Sequence, residues 1–218
     1  IAFPALKTGT EFLKSQAKYL GVTDFKYMNH VIELLQLDPT ANLKRMSKGM
    51  KQKTAIVAAL MGEKETLVLD EPTTGLDPLM REAFLELIRE EKQKGHTVFM
   101  STHIFEEIES VCDRVAMIKD GHIIATSSLY DLRHPTIKNF IIEFEEMWQK
   151  QQFIEKIRFK TESTESNTCA VQCSVDELDI LFNVLKDYSV TNLREIHLSL
   201  QQQFMRAYKE GLNQNGNK

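Results

Sequence analysis

The sequence predicts an α/β domain followed by a smaller α+β appendage. Three observations point there. Short apolar runs alternate with helical stretches between residues 63 and 135, the pattern of a parallel sheet with crossover helices. A group of helices precedes the first of these strands. Past Pro135 the composition shifts and the alternation stops. The predicted domains are therefore 1–135, with a helical part at about 8–62 and a strand-bearing core at about 63–135, and an accessory α+β domain at 136–218.

The elements follow in order. TGTEFLKSQAKYLG reads as a helix, with Thr8 and Glu11 at capping-box spacing and Gly21 as its stop. TDFKYMNHVIELLQL reads as a second, capped by Thr23 or Asp24, with Tyr27, Val31, Leu34 and Leu35 on one face. DPTANLKRMSKGM is a loop, and a third helix runs from Lys51 to Met61. ETLVLD is an apolar run of the buried-strand kind. Asp77 caps the next helix, with Pro78 at its first position and Gly95 past its end. HTVFMST is a strand, Ile104 to Cys112 a helix, and DRVAMIKDGHIIATS a hairpin turning at Asp120-Gly121. A short helix ends before Pro135. In the appendage, Phe140 to Glu145 reads as a strand and TESTESN as a polar loop. Cys169 and Cys173 share one face of a strand. Ser174 with Glu177 caps a helix through about Tyr188, and Ser199 with Gln202 caps another.

Bulk properties exclude several classes. The net charge of −4 does not suit a protein that binds nucleic acid through bulk charge. No apolar run approaches the roughly 18 residues of a membrane span, and there is no signal-peptide pattern. Cys112, Cys169 and Cys173 lack metal-site spacing, so they read as core or strand thiols of a reducing compartment. The chain opens on Ile1 rather than methionine, which suggests a truncated or processed chain.

The chemistry concentrates in four short stretches. LVLDEP places Asp70 and Glu71 at the carboxyl end of a strand, where α/β sheets hold their ligands. Neighbouring strand residues point to opposite sides, so the two carboxylates can divide the work. One aspartate suffices for Mg²⁺, which keeps several waters. A glutamate beside it can activate an attacking water. TTGLDP follows, with Gly75 for a tight turn and Asp77 as an N-cap. A second strand ends at Ser101-Thr102-His103, and such a histidine can hydrogen-bond a γ-phosphate. MSKGM puts Ser47, Lys48 and Gly49 at a helix start, where free N–H groups and the helix dipole favour phosphate.

In this order and spacing, the four stretches resemble the nucleotide-binding subunit of an ABC transporter of the bacterial export type. MSKGMKQK resembles the family signature, LVLDEP the Walker B strand, TGLDP the D-loop and STH the switch histidine. The helices ahead of the signature resemble the family's helical subdomain. The resemblance covers roughly Ile1 to Arg133. The fold it implies is a partial P-loop NTPase core with its helical subdomain, and the function is ATP hydrolysis coupled to export by a separate integral-membrane permease. It implies ATP and Mg²⁺ as cofactors and a head-to-tail dimer with a second nucleotide-binding subunit. By that resemblance Asp70 orders Mg²⁺ through water, Glu71 is the general base and His103 holds the γ-phosphate. Ser47, Lys48, Gly49 and Met50 form the part that meets the opposite subunit's nucleotide, and Asp77 lies at the dimer interface. The place it implies is the cytoplasmic face of the cell membrane, without nucleic acid. The signature departs from the usual LSGGQ: Lys48 stands for its first glycine and Met50 for its glutamine.

One family motif is missing. No G-x-x-x-x-G-K-[ST] phosphate loop occurs; LKTGTEF, MGEKET and EKQKGHT all fail the pattern. The opening IAFPALKTG resembles the segment just after the family's Q-loop glutamine. The chain is accordingly expected to be the later portion of a cassette, inactive by itself, with uncovered apolar sheet surface. Two further readings stand beside this one. A soluble, non-transport ABC ATPase would bring duplicated cassettes or coiled-coil insertions; neither heptads nor a second signature occur. A truncated, non-catalytic interaction protein is favoured by the missing loop alone.

Overall fold

A computed structural model describes residues 3, 7–163, 166–196 and 199–202. The chain forms two compact units, Ile1–Cys112 and Asp113–Lys218.

In the first unit, α1 (Gly9–Leu20) starts where the extended Thr8 accepts the Glu11 N–H on Oγ1 at 3.2 Å, and it ends at Gly21 with φ 72°. The Glu11 carboxylate reaches back to the N–H of Lys7, one residue ahead of the capping-box position. Helix α2 (Lys26–Leu34) begins after Phe25, later than its sequence cap. Asp24 accepts the Lys26 N–H instead, at 2.9 Å. Helix α3 (Lys48–Leu60) begins three residues before the predicted Lys51, because Ser47 caps it by accepting the Met50 N–H. Leu13, Ala17, Val31, Leu35, Val57 and Leu60 from these helices share one core with Leu67 and Leu69 of β1 and Phe84, Leu87 and Ile88 of α4.

Strands β1 (Thr66–Asp70) and β2 (Thr97–Ser101) pair in parallel, joined by α4 (Pro78–Gln93), and α5 (Phe105–Val111) follows. Among the described residues they form a two-stranded sheet. Alternate residues of β1 are buried. On the other face, Val68 and its cross-strand partner Phe99 are 74% and 67% exposed. Parallel sheets are ordinarily covered on both faces, whereas these two apolar side chains lie exposed on one.

A buried polar knot fastens α2 to the end of α4. Glu91 is fully buried. It accepts hydrogen bonds from the Tyr27 hydroxyl, from Lys94 Nζ at 3.0 Å and on Oε2 from His96 Nδ1 at 2.7 Å. The Lys94 ammonium also stands 3.4 Å from the centre of the Tyr27 ring, a cation–π contact.

The second unit opens with the hairpin of β3 (Arg114–Lys119) and β4 (His122–Ser128). Asp120 and Gly121 both take positive φ, 48° and 76°, as a two-residue primed turn requires. After α6 (Leu129–Arg133) come β5 (Ile137–Phe144), α7 (Met147–Lys156), β6 (Lys160–Ser163), β7 (Thr168–Ser174), α8 (Leu178–Leu185) and β8 (Val190–Glu195). The sheet is antiparallel with order β6-β7-β5-β8. This βαββαβ arrangement is the ferredoxin-like split βαβ. It refines the α+β reading, and its core joins Phe140, Ile142 and Phe144 to Phe153, Val171, Leu181 and Leu185.

Two of its elements escape the sequence pattern. Helix α7 has no side-chain N-cap to announce it. Strand β6 takes Thr161–Ser163 out of the run read as a polar loop, because its hydrogen bonds to β7 need no apolar side chains. The Ser174–Glu177 capping box is present. Ser199 and Gln202 exchange hydrogen bonds, while the helix predicted beyond them lies outside the described residues. Cys169 and Cys173 are buried thiols of the sheet core. Burial pushes the Cys169 thiol up to about 11, which keeps it protonated and unreactive.

Candidate active site

The ends of β1 and β2 build the site, since their register sets Asp70 directly opposite Ser101. The Ser101 hydroxyl donates to Asp70 Oδ1 at 2.5 Å and accepts the Glu71 N–H at 2.9 Å. The Ser101 carbonyl takes the same N–H at 3.2 Å. One serine thus orients the aspartate and pins the backbone where the strand ends. Sequence reasoning passed over its role, because a strand-end serine carries no signal until its partner strand is known.

Glu71 does not continue the strand. Its φ is 44°, a left-handed conformation that costs a non-glycine residue about 1–2 kcal/mol. The two carboxylates therefore part company through a turn at Glu71, not through the alternation of strand side chains. That turn aims Glu71 at His103, whose Nδ1 lies 2.9 Å from both carboxylate oxygens. Thr74 Oγ1 approaches Glu71 Oε2 at 3.4 Å. The His103 side chain is 74% exposed, so the imidazole is open to solvent.

The turn after Glu71 is held by Thr74 N–H to the Glu71 carbonyl and Leu76 N–H to the Thr73 carbonyl. Gly75 supplies its φ of 85°. Asp77 then caps α4 by accepting the Met80 N–H at 2.9 Å. The start of α3 packs against this turn. A methyl group on Gly49 would lie 2.8 Å from the Gly75 carbonyl oxygen, and one on Gly75 would meet the Lys48 side-chain carbons at 3.2 Å. Lys48 thus lays its aliphatic stem along the turn, in the manner of a surface lysine. Gln52 adds a bond from Nε2 to the Pro72 carbonyl at 2.7 Å, a second contact that no sequence signal foretold. Ser47 and Lys48 are exposed, and Met50 is half-buried beside the core.

This close approach carries a prediction. Gly49→Ala is expected to cost about 1–3 kcal/mol, because backbone must move to admit the methyl. A urea melt read by circular dichroism measures it; an unchanged midpoint would show that the two turns do not pack this tightly.

A divalent cation fits the donors at Asp70, which offers carboxylate oxygen with one oxygen steadied by Ser101. Among the described residues no group of three or more His, Cys, Asp or Glu side chains gathers to hold a metal. Any Mg²⁺ here would draw the rest of its shell from water and phosphate, the usual way this ion is held beside a nucleotide.

Comparison with known proteins follows the same lines. A family model described as AAA domain, putative AbiEii toxin, Type IV TA system matches residues 31–109. Nod factor export ATP-binding protein I of Rhizobium etli is 34% identical over 141 residues, 62% of this chain and 45% of that protein. Linearmycin resistance ATP-binding protein LnrL of Bacillus subtilis is 36% identical over 135 residues, 60% of this chain and 43% of that protein. A solved structure described as an ATP binding subunit of an ABC transporter superposes with a TM-score of 0.54 at 34% identity, covering 62% of this chain and 57% of that one. The chain spans less than half the length of these curated relatives. By sequence its homologues are ABC transporter ATP-binding proteins, and over the 62% of the chain that superposes its fold matches the ABC-type P-loop NTPases.

Proposed function

We propose that the chain is part of an ABC transporter ATP-binding subunit that hydrolyses ATP and couples the reaction to export. The observation that carries this is the joining of Asp70, Glu71 and His103 at the ends of two parallel strands through Ser101 and the Glu71–His103 contact. Glu71 takes the proton of the attacking water. His103 donates a hydrogen bond to the γ-phosphate. Asp70 would hold Mg²⁺, which would supply positive charge to offset that of the phosphates. Ser47, Lys48, Gly49 and Met50 meet the nucleotide of a second subunit in a head-to-tail homodimer or heterodimer, with Asp77 at the interface. That pairing suits a signature turn whose Ser47 and Lys48 are exposed.

The remaining assignments follow from the same reading. The nucleotide-binding portion runs over 1–135 and the accessory domain over 136–218. The subunit sits on the cytoplasmic face of the membrane, docked to a separate permease and free of nucleic acid. Among the described residues no helix is long and apolar enough to cross a membrane. Purification of the protein from its native host in mild detergent tests this. An integral-membrane protein that copurifies supports the transport reading; ribosomal or DNA-repair partners favour a soluble ABC ATPase.

The 218 residues contain no G-x-x-x-x-G-K-[ST] sequence, whose backbone amides and lysine form the main phosphate cradle in this class. By themselves they are expected to bind Mg-ATP more weakly than about 1 mM, or some 4 kcal/mol. Titration calorimetry measures this. Micromolar binding, with turnover that Glu71→Gln removes, would show that the chain needs no such loop.

A further inference from the structure

We infer that Glu107 is a positioning residue that braces the two loops carrying Glu71 and His103 against each other, an inference that rests on the ATPase reading above. Glu107 lies in the first turn of α5, far in sequence from Glu71, and is fully buried. Its Oε1 accepts the Thr73 hydroxyl at 2.6 Å, and its Oε2 accepts the Thr102 hydroxyl at 2.7 Å. Thr73 is two residues beyond Glu71, and Thr102 directly precedes His103. Arg81 of α4 adds its charge, with Nε 3.5 Å from Oε1.

These contacts close a ring. It runs from Glu71 through Pro72 to Thr73, across the Glu107 carboxylate to Thr102, on to His103, and back to Glu71 through the 2.9 Å contact. On the strand side of the ring, Ser101 ties the same two loops together. The Glu71–His103 distance is thus set from both sides: by a hydroxyl on the exposed side and by a carboxylate within the core. A buried carboxylate is costly unless it is paired and hydrogen-bonded. This one uses both of its oxygens on the loops that carry the reacting groups. A carboxylate that served only to favour the helix N-terminus would need neither threonine.

Hydrogen exchange on this chain gives the first test, with Glu107→Gln, Thr73→Val and Thr102→Val as variants that keep side-chain volume. Loss of the charge-assisted bonds is expected to raise exchange roughly tenfold in both 71–76 and 102–104. Thr73→Val is expected to loosen 102–104 as well as its own loop, because the two loops share one carboxylate. An effect confined to the mutated loop, or spread evenly through the first unit, overturns the brace. The second test uses the full-length ATPase, where Glu107→Gln is expected to lower kcat roughly tenfold while KM for ATP stays within about twofold. An active enzyme with unchanged kcat overturns the positioning role. A wild-type protein without ATPase activity overturns the ATPase reading instead, and the exchange experiment still decides whether Glu107 joins the loops.

Discussion

Glu71→Gln in the full-length protein is expected to lower ATP turnover by a factor of about 10²–10⁴, the usual worth of a positioned general base. The amide preserves the shape of the carboxylate and can still accept a hydrogen bond from His103 Nδ1, which stands 2.9 Å from both oxygens in the native chain. It cannot take a proton from water. The left-handed turn at Glu71, held by the Ser101 hydroxyl and carbonyl, depends on the backbone and survives the change. Binding of ATP is therefore expected to persist while the chemical step fails. Single-turnover hydrolysis measured beside equilibrium ATP binding separates the two. A parallel loss of binding and turnover would place Glu71 in nucleotide binding, and unchanged turnover would remove it from the reaction.

Glu91→Ala is expected to destabilise the first unit by about 3 kcal/mol, because breaking a buried pair leaves its partners unsatisfied. The Tyr27 hydroxyl, Lys94 and His96 all lose their acceptor at once, and of the polar ties between α2 and α4 the exposed His30–Glu90 contact remains. A urea melt of the variant measures the loss. A shift below about 1 kcal/mol would mean that water replaces the carboxylate freely.

The same network predicts a pH dependence. Burial alone would raise the Glu91 carboxyl, but hydrogen bonds from Tyr27, His96 and Lys94 outweigh it and hold the group below its ordinary value of 4.5. A lowered carboxyl contributes stability above that ordinary value and loses it as pH falls through the folded-state value. Burial first, and then the bond to Glu91, push the Tyr27 phenol above its ordinary 10.0. That contribution is complete below pH 10 and is lost as pH rises past it. Native stability should therefore fall on both flanks, and Glu91→Gln should flatten the acid flank. An acid flank that Glu91→Gln leaves unchanged would assign the loss to other carboxylates.

Much of the first unit was legible in the linear chain because its signals are local. Thr8, Ser47 and Asp77 each cap a helix by accepting an N–H three residues on, and in the second unit Asp120-Gly121 turns the opening hairpin in the same local way. Such signals act within a few residues, so spacing reveals them. The start of α3 was misplaced for a related reason: Lys48 and Gly49 look like loop residues until Ser47 is recognised as the cap. The appendage was less legible. Its antiparallel sheet joins strands far apart in sequence, and pairing across such distances leaves no mark on either strand alone.

The sequence by itself determined the order of the strands and helices in the first unit, the presence of Asp70, Glu71 and His103 at strand ends, and the absence of a phosphate-loop motif among the 218 residues. Only the tertiary structure decided what those side chains do to one another. Ser101 became the link between Asp70 and Glu71 through the register of β1 against β2, and Glu91 and Glu107 became buried acceptors through helix packing. The physical reason is range. Caps, turns and alternating burial are set by neighbours in the chain. A buried carboxylate is stable only where donors from distant segments converge on it, and that convergence exists only in the folded molecule.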